Sequence, residues 1–263
     1  MTMKIDVIIP TLNSSKTIEK SLESVIRAKS HYESIEIKVL VADGGSVDNT
    51  KSIIKNYKNK LDIAIVSESD TSPEEGISKA FIKSTGDYTI VIGSDDYISE
   101  DYFQDMESFD ATKKQILLPK RFVILKKDLN NNLIVKKIKS PRRKFLHRYT
   151  VPLPGFGWIG RTAYLKEFIK SRNDKLFTKN YEIASDSELF VDLINAGWEY
   201  KVMQNKNASY YFLEGGRSKD WIPLSYEQCE IACKNVKGFN LDIKLIYALR
   251  RNWLRIKSRL IYK

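Results

Sequence analysis

Two kinds of hydrophobic pattern alternate along the first hundred residues, and this alternation constrains the fold more than any other feature. The short apolar runs that predict strands are Ile5–Ile9, Ile35–Val41, Leu61–Val66 and Tyr88–Ile92. The segments between them carry apolar residues at helical spacing. This βαβαβαβ order predicts an α/β fold, a mostly parallel sheet with helices on both faces. Ligands of such sheets bind beyond the carboxyl ends of the strands.

The second half of the chain predicts a different organisation. Gln115–Leu125 and Leu133–Ile138 read as two strands joined by a turn, and Ser185–Ala196 as a helix. Helical patterns continue from about residue 223 to the end of the sequence. We therefore expect three parts, at residues 1–97, 98–222 and 223–263.

Positive charge is concentrated in two segments. Residues 113–148 contain thirteen Lys and Arg and one Asp, and residues 234–263 contain nine and one. Because their net charges of +12 and +8 together exceed the +11 of the whole chain, the remainder is acidic. Basic patches attract phosphate groups, whether on a nucleic acid, an anionic membrane or a phosphorylated substrate.

Cysteine content and hydropathy predict a cytoplasmic protein. No apolar run approaches the roughly 18–20 residues of a membrane span, and the first residues are too polar for a secretory signal. Cys229 and Cys233, with only two histidines in the chain, form neither a disulfide framework nor a zinc site. We expect them to be buried thiols in a reducing compartment.

Carboxylates follow two of the predicted strands. Asp95 and Asp96 are adjacent after the fourth strand, and such a pair is costly unless a cation or hydrogen-bond donors offset the repulsion. Divalent ions with oxygen ligands typically bind one or two carboxylates plus substrate phosphates. Asp43 precedes two glycines, which permit close approach of a ligand to the backbone. The alternatives are a solvated turn for the pair and an ordinary Asp-Gly turn for Asp43.

Two common phosphate-binding motifs are missing from the sequence. No G-x-G-x-x-G follows the first strand, and no G-x-x-x-x-G-K-[ST] occurs anywhere. Both absences weigh against a dinucleotide-dependent enzyme and a P-loop NTPase.

Seven short segments occur in a fixed order along the chain. They are Val7–Asn13, Val41–Thr50, Ser67–Asp70 with Gly76-Ile77, Thr85–Tyr88, Ser94–Asp96, Ile183–Phe190 and Phe212–Ser218. This ordered set resembles the family 2 glycosyltransferases, in particular the bacterial branch that builds polysaccharides and glycolipids. The resemblance implies a GT-A fold, with a nucleotide-sugar-binding half at 1–97 and an acceptor-binding half at 98–222. The charge and the helical pattern of residues 223–263 predict a basic helical tail after them.

The resemblance also implies roles for individual residues. The position matching Asp43 holds the nucleobase, that matching Asp95 lies near the ribose, and that matching Asp96 binds a divalent cation, Mn²⁺ or Mg²⁺, on the diphosphate. The carboxylate matching Asp186 is the general base. The positions expected to line the nucleotide pocket are Pro10, Thr11, Asn13, Gly44 and Glu68.

Together these roles predict an inverting glycosyltransferase. It would move a sugar from a nucleoside-diphosphate sugar to a hydroxyl of a saccharide or lipid-linked acceptor. The resemblance to the family favours a UDP-sugar as the donor. Asp186 has a structural alternative, because Ser185 and Glu188 fit a capping box at the start of a helix. Glu188 is the alternative base.

Two other functions compete with this prediction. A sugar nucleotidyltransferase has a similar sheet, but a Gly-rich signature with Arg and Lys is missing after the first strand. A non-enzymatic nucleic-acid-binding protein would use the two basic segments and bind oligonucleotides with strong salt dependence. It leaves Asp43, Asp95 and Asp96 without a role, so we expect no nucleic-acid partner.

The last thirty residues predict an amphipathic helix. Its apolar stripe consists of Leu245, Leu249, Trp253, Ile256 and Leu260. The basic residues beside or opposite the stripe are Arg250, Arg251, Arg255, Lys257 and Arg259. This pattern predicts binding to an anionic membrane surface, and therefore a peripheral location at the inner face of the membrane. The alternative is a helix that packs its stripe against the domain or a second subunit.

Overall fold

The computed structural model describes residues 2–67, 70–141, 155–178, 181–214, 221–236 and 240–261. Within these ranges the strands are β1 (Met3–Thr11), β2 (Ile35–Asp43), β3 (Asp62–Ser67), β4 (Tyr88–Val91), β5 (Tyr97–Ile98), β6 (Gln115–Leu118), β7 (Arg121–Lys127), β8 (Leu133–Lys139), β9 (Ile159–Arg161), β10 (Glu199–Val202) and β11 (Ser209–Leu213). The α-helices are α1 (Ile18–Ser30), α2 (Thr50–Asn56), α3 (Pro73–Lys83), α4 (Thr162–Lys170), α5 (Ser185–Asn195), α6 (Trp221–Asn235) and α7 (Leu241–Ile261). A 3-10 helix spans Glu100–Ser108.

The larger sheet has the order β10-β6-β9-β4-β1-β2-β3 in the described part of the chain. β1 pairs in parallel with both β2 and β4, and β2 pairs in parallel with β3. β9 is antiparallel to β4 and β6. The α/β fold with a mostly parallel sheet, predicted from the strand–helix alternation, is confirmed.

Strand β1 lies in the middle of the parallel part, and its composition explains why. Ile5, Val7, Ile8 and Ile9 are all fully buried. A continuous apolar run is expected where helices cover both faces of a parallel strand. Burial of each such side chain contributes about 1.5–3 kcal/mol, so the strand gives a rigid base to the loop that follows Thr11.

One strand of the sequence prediction is wrong. Gln115–Leu125 is not continuous: β6 ends at Leu118 and β7 begins at Arg121, and the two belong to different sheets. The break falls at Pro119, which has no N–H to donate to a strand ladder. β7 then joins a smaller sheet of order β5-β11-β7-β8, where it pairs antiparallel with β8 as predicted.

The described residues divide into two compact units. The first comprises those within 1–141, 156–176 and 198–213 and holds both sheets; the second comprises the rest and holds α5, α6 and α7. In the second unit, α7 buries Ile243 and Tyr247 against Ala232 of α6. Cys229 and Cys233 are free thiols, half-buried rather than buried, and pack against the same cluster. None of the described helices has the length and apolarity needed to span a membrane.

Candidate functional site

The carboxyl ends of three neighbouring strands carry the predicted nucleotide-binding residues. Because β4, β1 and β2 are adjacent, the loops that follow them meet at one edge of the sheet. The N–H of Gly44 donates to the carbonyl of Thr11 over 2.9 Å. The hydroxyls of Ser14 and Ser94 are 2.8 Å apart, which connects the loop after β1 with the loop after β4.

Asp43 ends β2 as a fully buried carboxylate. Its two oxygens accept the N–H of Ser46 at 3.2 and 3.3 Å. The Nζ of Lys51, on the first turn of α2, lies 3.2 Å from Oδ2. Gly45 has a φ of +98°, so the chain changes direction after Asp43. The Asp43 carboxylate bonds back to the backbone of this loop at Ser46. The arrangement fixes the orientation of the Asp43 side chain.

The loop after β1 is fixed by its asparagine. Asn13 adopts a φ of 49°, a left-handed conformation that asparagine tolerates better than most residues. Its side-chain oxygen accepts the N–H of Val47 at 3.0 Å, and its own N–H donates to the Ser46 hydroxyl at 2.9 Å. Thr11 is buried and lies opposite Asp43 in the strand register, one residue after the half-buried Pro10. Four of the five expected pocket residues, Pro10, Thr11, Asn13 and Gly44, therefore lie together.

Asp95 and Asp96 follow β4 in a tight turn. The N–H of Asp96 donates to the carbonyl of Gly93 over 3.0 Å. A Cβ on Gly93 would lie 2.6 Å from Asp96 Oδ2, so only glycine leaves room for the carboxylate. Desolvation, and secondarily the charge of Asp95, raise the pKa of Asp96 to about 7. The pKa of Asp95 is also raised by desolvation. Burial thus disfavours the charged form of both carboxylates.

This donor set fits a hard divalent cation. Mg²⁺ and Mn²⁺ prefer carboxylate oxygens and are commonly held by one or two of them plus substrate phosphates. The described residues contain no group of three or more His, Cys, Asp or Glu side chains able to hold a metal ion. A cation bound by Asp96 would therefore complete its coordination with substrate or water oxygens.

Tyr210 is a contact that sequence reasoning missed. Its hydroxyl donates to Asp96 Oδ2 at 2.6 Å and accepts the N–H of Gly93 at 3.2 Å. Tyr210 lies on β11, more than a hundred residues along the chain. No local pattern in the sequence connects it with Asp96.

Another carboxylate with a buried side chain lies beyond β3. Asp70, whose side chain is only 5% exposed, accepts a hydrogen bond from Lys79 Nζ of α3 at 2.8 Å. A Cβ on Gly76 would lie 2.7 Å from Asp70 Oδ2, which explains a glycine there. Glu68, the remaining expected pocket residue, lies outside the described residues.

Asp186 belongs to the second unit, in the first turn of α5, and is half-buried. The predicted capping box is wrong. The N-cap position is Ala184 rather than Ser185, and no side chain of the N-cap residue bonds to the helix. Glu188 is buried and accepts a hydrogen bond from the Thr178 hydroxyl.

Glu227 of α6 fixes the backbone that leads into α5. Its carboxylate accepts the backbone N–H groups of Glu182, Ile183 and Ala184 at 3.1, 3.0 and 2.7 Å. A carboxylate at a helix N-terminus also interacts favourably with the helix dipole. Within the first turn of α5, Asp186 Oδ1 accepts the N–H of Ser187 at 2.6 Å.

Comparison with known proteins identifies relatives of this chain. Residues 6–171 match the family described as Glycosyl transferase family 2. The poly(ribitol-phosphate) beta-N-acetylglucosaminyltransferase TarS of Staphylococcus aureus strain Mu50 is 32% identical over 187 residues, which cover 67% of this chain and 32% of TarS. The poly(ribitol-phosphate) beta-glucosyltransferase of Bacillus spizizenii is 30% identical over 192 residues, which cover 68% of this chain and 29% of the relative. The chain thus spans about a third of the length of these curated relatives.

Solved structures share the fold. S. aureus TarS 1-349 in complex with UDP-GlcNAc matches with a TM-score of 0.55 and 21% identity over 94% of this chain and 71% of that one. The mannosyltransferase PcManGT from Pyrobaculum calidifontis, in complex with GDP-Man and Mn²⁺, matches with a TM-score of 0.61 and 16% identity over 95% and 70%. Both likenesses support a GT-A fold for this chain.

Proposed function

Because the chain belongs to glycosyl transferase family 2, we propose that it transfers a sugar from a UDP-sugar to a hydroxyl of a saccharide or lipid-linked acceptor. The observation that carries the proposal is the strand order β4-β1-β2, which brings Asp43 and the Asp95-Asp96 pair to one edge of the sheet. Ligands of parallel sheets bind at this edge. A relative in the solved structures holds UDP-GlcNAc, which supports a uridine donor.

In this proposal Asp43 holds the nucleobase and the loop after β1 lines the pocket. The fixed turn at Ser46 presents Asp43 in one orientation, so little side-chain entropy is lost when a nucleotide binds. Asp95 contacts the ribose. The remaining pocket residues are Pro10, Thr11, Asn13, Gly44 and Glu68.

Asp96, with Asp95 beside it, would hold Mn²⁺ or Mg²⁺. When bound, the cation supplies Lewis-acid stabilisation of the negative charge on the leaving diphosphate. The support is the raised pKa of Asp96, about 7, which burial and the Asp95 charge produce. A relative of this fold is recorded with Mn²⁺.

Asp186 acts as the general base in the proposed reaction. A bond forms between the acceptor oxygen and the anomeric carbon as the bond from that carbon to the diphosphate oxygen breaks. The acceptor proton passes to the Asp186 carboxylate. One displacement inverts the anomeric centre, and a positioned base contributes about 10²–10⁴ in rate. Glu227 accepts hydrogen bonds from the N–H groups of Ile183 and Ala184, which supports a fixed position for the helix start that carries Asp186.

The acceptor class is proposed from charge. The two poly(ribitol-phosphate) transferases act, by their names, on a phosphate-bearing polymer. Exposed lysines on the β7–β8 hairpin would suit an anionic acceptor of this kind; they are Lys126, Lys127, Lys136 and Lys137. A lipid-linked saccharide phosphate has the same chemistry.

We also propose that α7 binds an anionic membrane surface, which would place the enzyme at the cytoplasmic face of a membrane. Four residues of the predicted apolar stripe, Leu245, Leu249, Trp253 and Ile256, are each about 60% exposed. Leu241, one turn before them, is exposed to the same extent, and the side chain of Leu260 lies outside the described part of the structure. The helix buries a different face, through Ile243 and Tyr247. Residues 243–261 contain no acidic residue. Two copies packed through this stripe would bring like charges together, whereas anionic lipid offsets them.

A panel of nucleotide sugars, scored by thermal shift with Mn²⁺ or Mg²⁺ and then by product formation, tests the proposed function. A UDP-sugar at 100 times its Kd should stabilise the fold by about 2.7 kcal/mol. Asp43→Ala should remove the shift. The proposal is wrong if no nucleotide sugar changes the melting temperature while oligonucleotides bind with strong salt dependence.

A further inference from the structure

We propose that Tyr210 is a positioning residue that holds the Asp96 carboxylate in place for the divalent cation. The inference rests on the proposed function, because it concerns the cation assigned to Asp96. Nothing in the sequence resemblance involves Tyr210. The proposal rests on the contacts of the buried Tyr210 side chain.

The ring of Tyr210 is buried and closely packed. The residue is 1% exposed and lies in β11 between β5 and β7. Gly157, with a φ of +86°, packs so closely that a Cβ there would lie 2.3 Å from the ring. The ring of Phe122 lies 6.2 Å away, centre to centre. The absence of a side chain at Gly157 therefore leaves the space that the Tyr210 ring occupies.

The hydroxyl of Tyr210 is used twice at the strand end. It donates its proton to Asp96 Oδ2 at 2.6 Å and accepts the N–H of Gly93, the residue that leads from β4 into the turn, at 3.2 Å. The two bonds tie the carboxylate and the backbone of the same turn to one atom. The hydroxyl thus orients the carboxylate together with the backbone N–H groups of Leu213 and Gly93, which also bond to Asp96.

This arrangement has a general counterpart in metal proteins. Carboxylates that ligate metals are themselves hydrogen-bonded, and loss of such a partner typically costs about 10–100-fold in metal affinity. A purely structural role would be served by phenylalanine, which fills the same space without a buried hydroxyl. The hydroxyl therefore acts on Asp96 rather than on the packing of the core.

The test compares Tyr210→Phe with Tyr102→Phe. Tyr102 is also fully buried in the first unit, but its hydroxyl donates to the carbonyl of Gly157 and does not contact Asp96. Each variant loses one buried hydroxyl, so a general loss of stability appears in both melting temperatures. Calorimetry measures Mn²⁺ binding in the presence of UDP, and UDP binding without metal.

We expect Tyr210→Phe to weaken Mn²⁺ binding about 10–100-fold, with metal-free UDP affinity unchanged. Tyr102→Phe should keep the parental Mn²⁺ affinity. In activity assays, the Mn²⁺ concentration for half-maximal rate should rise in Tyr210→Phe, while kcat at saturating Mn²⁺ returns towards the parental value.

Three results overturn the inference. Parental Mn²⁺ affinity in Tyr210→Phe, or equal weakening in both variants, refutes the positioning role while the metal assignment stands. If the parental chain binds UDP without any effect of Mn²⁺, the metal assignment fails and the role of Tyr210 fails with it.

Discussion

The Nζ atom of Lys51 lies 3.2 Å from Oδ2 of Asp43, a carboxylate with no exposed surface. Lys51 itself remains 42% exposed, so the pair joins a buried negative charge to the solvent-facing side of α2. A buried charge is tolerated when it is paired and hydrogen-bonded. The ion pair therefore holds the proposed nucleobase contact in one orientation.

Removal of the lysine should reveal this dependence. We expect Lys51→Ala to destabilise the fold by about 1–3 kcal/mol, because it leaves a buried carboxylate with fewer partners. Nucleotide affinity should fall as well. Lys55→Ala, at an exposed position of the same helix, is the matched control and should change neither quantity. Urea unfolding and calorimetry measure both; equal behaviour of the two variants would show that the ion pair is unimportant.

The role of Asp96 in metal binding can be tested separately from the role of the nucleotide pocket. Asp96→Ala should abolish the Mn²⁺-dependent part of UDP binding, because it removes a ligand oxygen, and leave the metal-free part. Asp62→Ala, at an exposed position at the start of β3, is the control. The measurement is calorimetry with and without Mn²⁺. Retention of the full Mn²⁺ effect in Asp96→Ala would refute the assignment.

The pKa of Asp96 predicts how the metal-free protein responds to pH. Folding raises this pKa to about 7, above the value of about 3.9 of an unfolded aspartate. The folded state therefore binds more protons between these values, and stability falls as pH rises from about 4 to 7. Asp96→Asn removes that loss. Its stabilising effect in urea unfolding should grow from pH 4 to pH 7 and level off above; a gain independent of pH would contradict the prediction.

The sequence predicts features that depend on neighbouring residues in the chain better than contacts between residues far apart in the chain. The parallel sheet follows from local apolar periods, and the strand-end position of Asp43 follows with it. Tyr210 and Asp96 are far apart in the chain, so no spacing rule brings them together. The break at Pro119 could have been predicted from the sequence, because proline cannot donate a hydrogen bond to a strand ladder.

The start of α5 makes the same point. Ser185 and Glu188 have the spacing of a capping box, yet the backbone N–H groups before the helix bond to Glu227, more than forty residues away. A tertiary contact fixes the segment before the helix, and Asp186 accepts the N–H of Ser187 inside the first turn. The sequence identifies a helix and an acidic residue in its first turn, but not the contact with Glu227.

The general base can be tested without disturbing that helix. We expect Asp186→Asn to keep donor affinity and melting temperature, because the amide oxygen of asparagine can accept the N–H of Ser187 as the carboxylate does. The bonds of Glu227 to the segment before the helix are unchanged by this substitution. Transfer should fall about 10²–10⁴-fold. Glu188→Gln is the comparison. If it loses transfer while Asp186→Asn does not, Glu188 is the base; parental rates in both would remove α5 from the reaction.

The outward stripe of α7 provides the last prediction. The intact chain should co-sediment at low salt with vesicles containing phosphatidylglycerol, and less with pure phosphatidylcholine, because basic residues near an anionic surface contribute about 1 kcal/mol each. The triple variant Leu245→Gln, Leu249→Gln, Ile256→Gln should lose this binding. All three side chains are exposed, at 59%, 61% and 59%, so the fold should persist.

The matched control for α7 lies on the exposed strand β8. Val135 and Ile138 are 56% and 51% exposed, and their replacement by Gln removes apolar surface elsewhere on the chain. We expect this control to sediment with the vesicles like the parent. Light scattering of the parent and the α7 variant tests self-association. The membrane assignment is wrong if the parent stays in the supernatant, if the α7 variant sediments equally well, or if the stripe proves to hold two copies together, since the apolar surface would then be covered by protein rather than lipid.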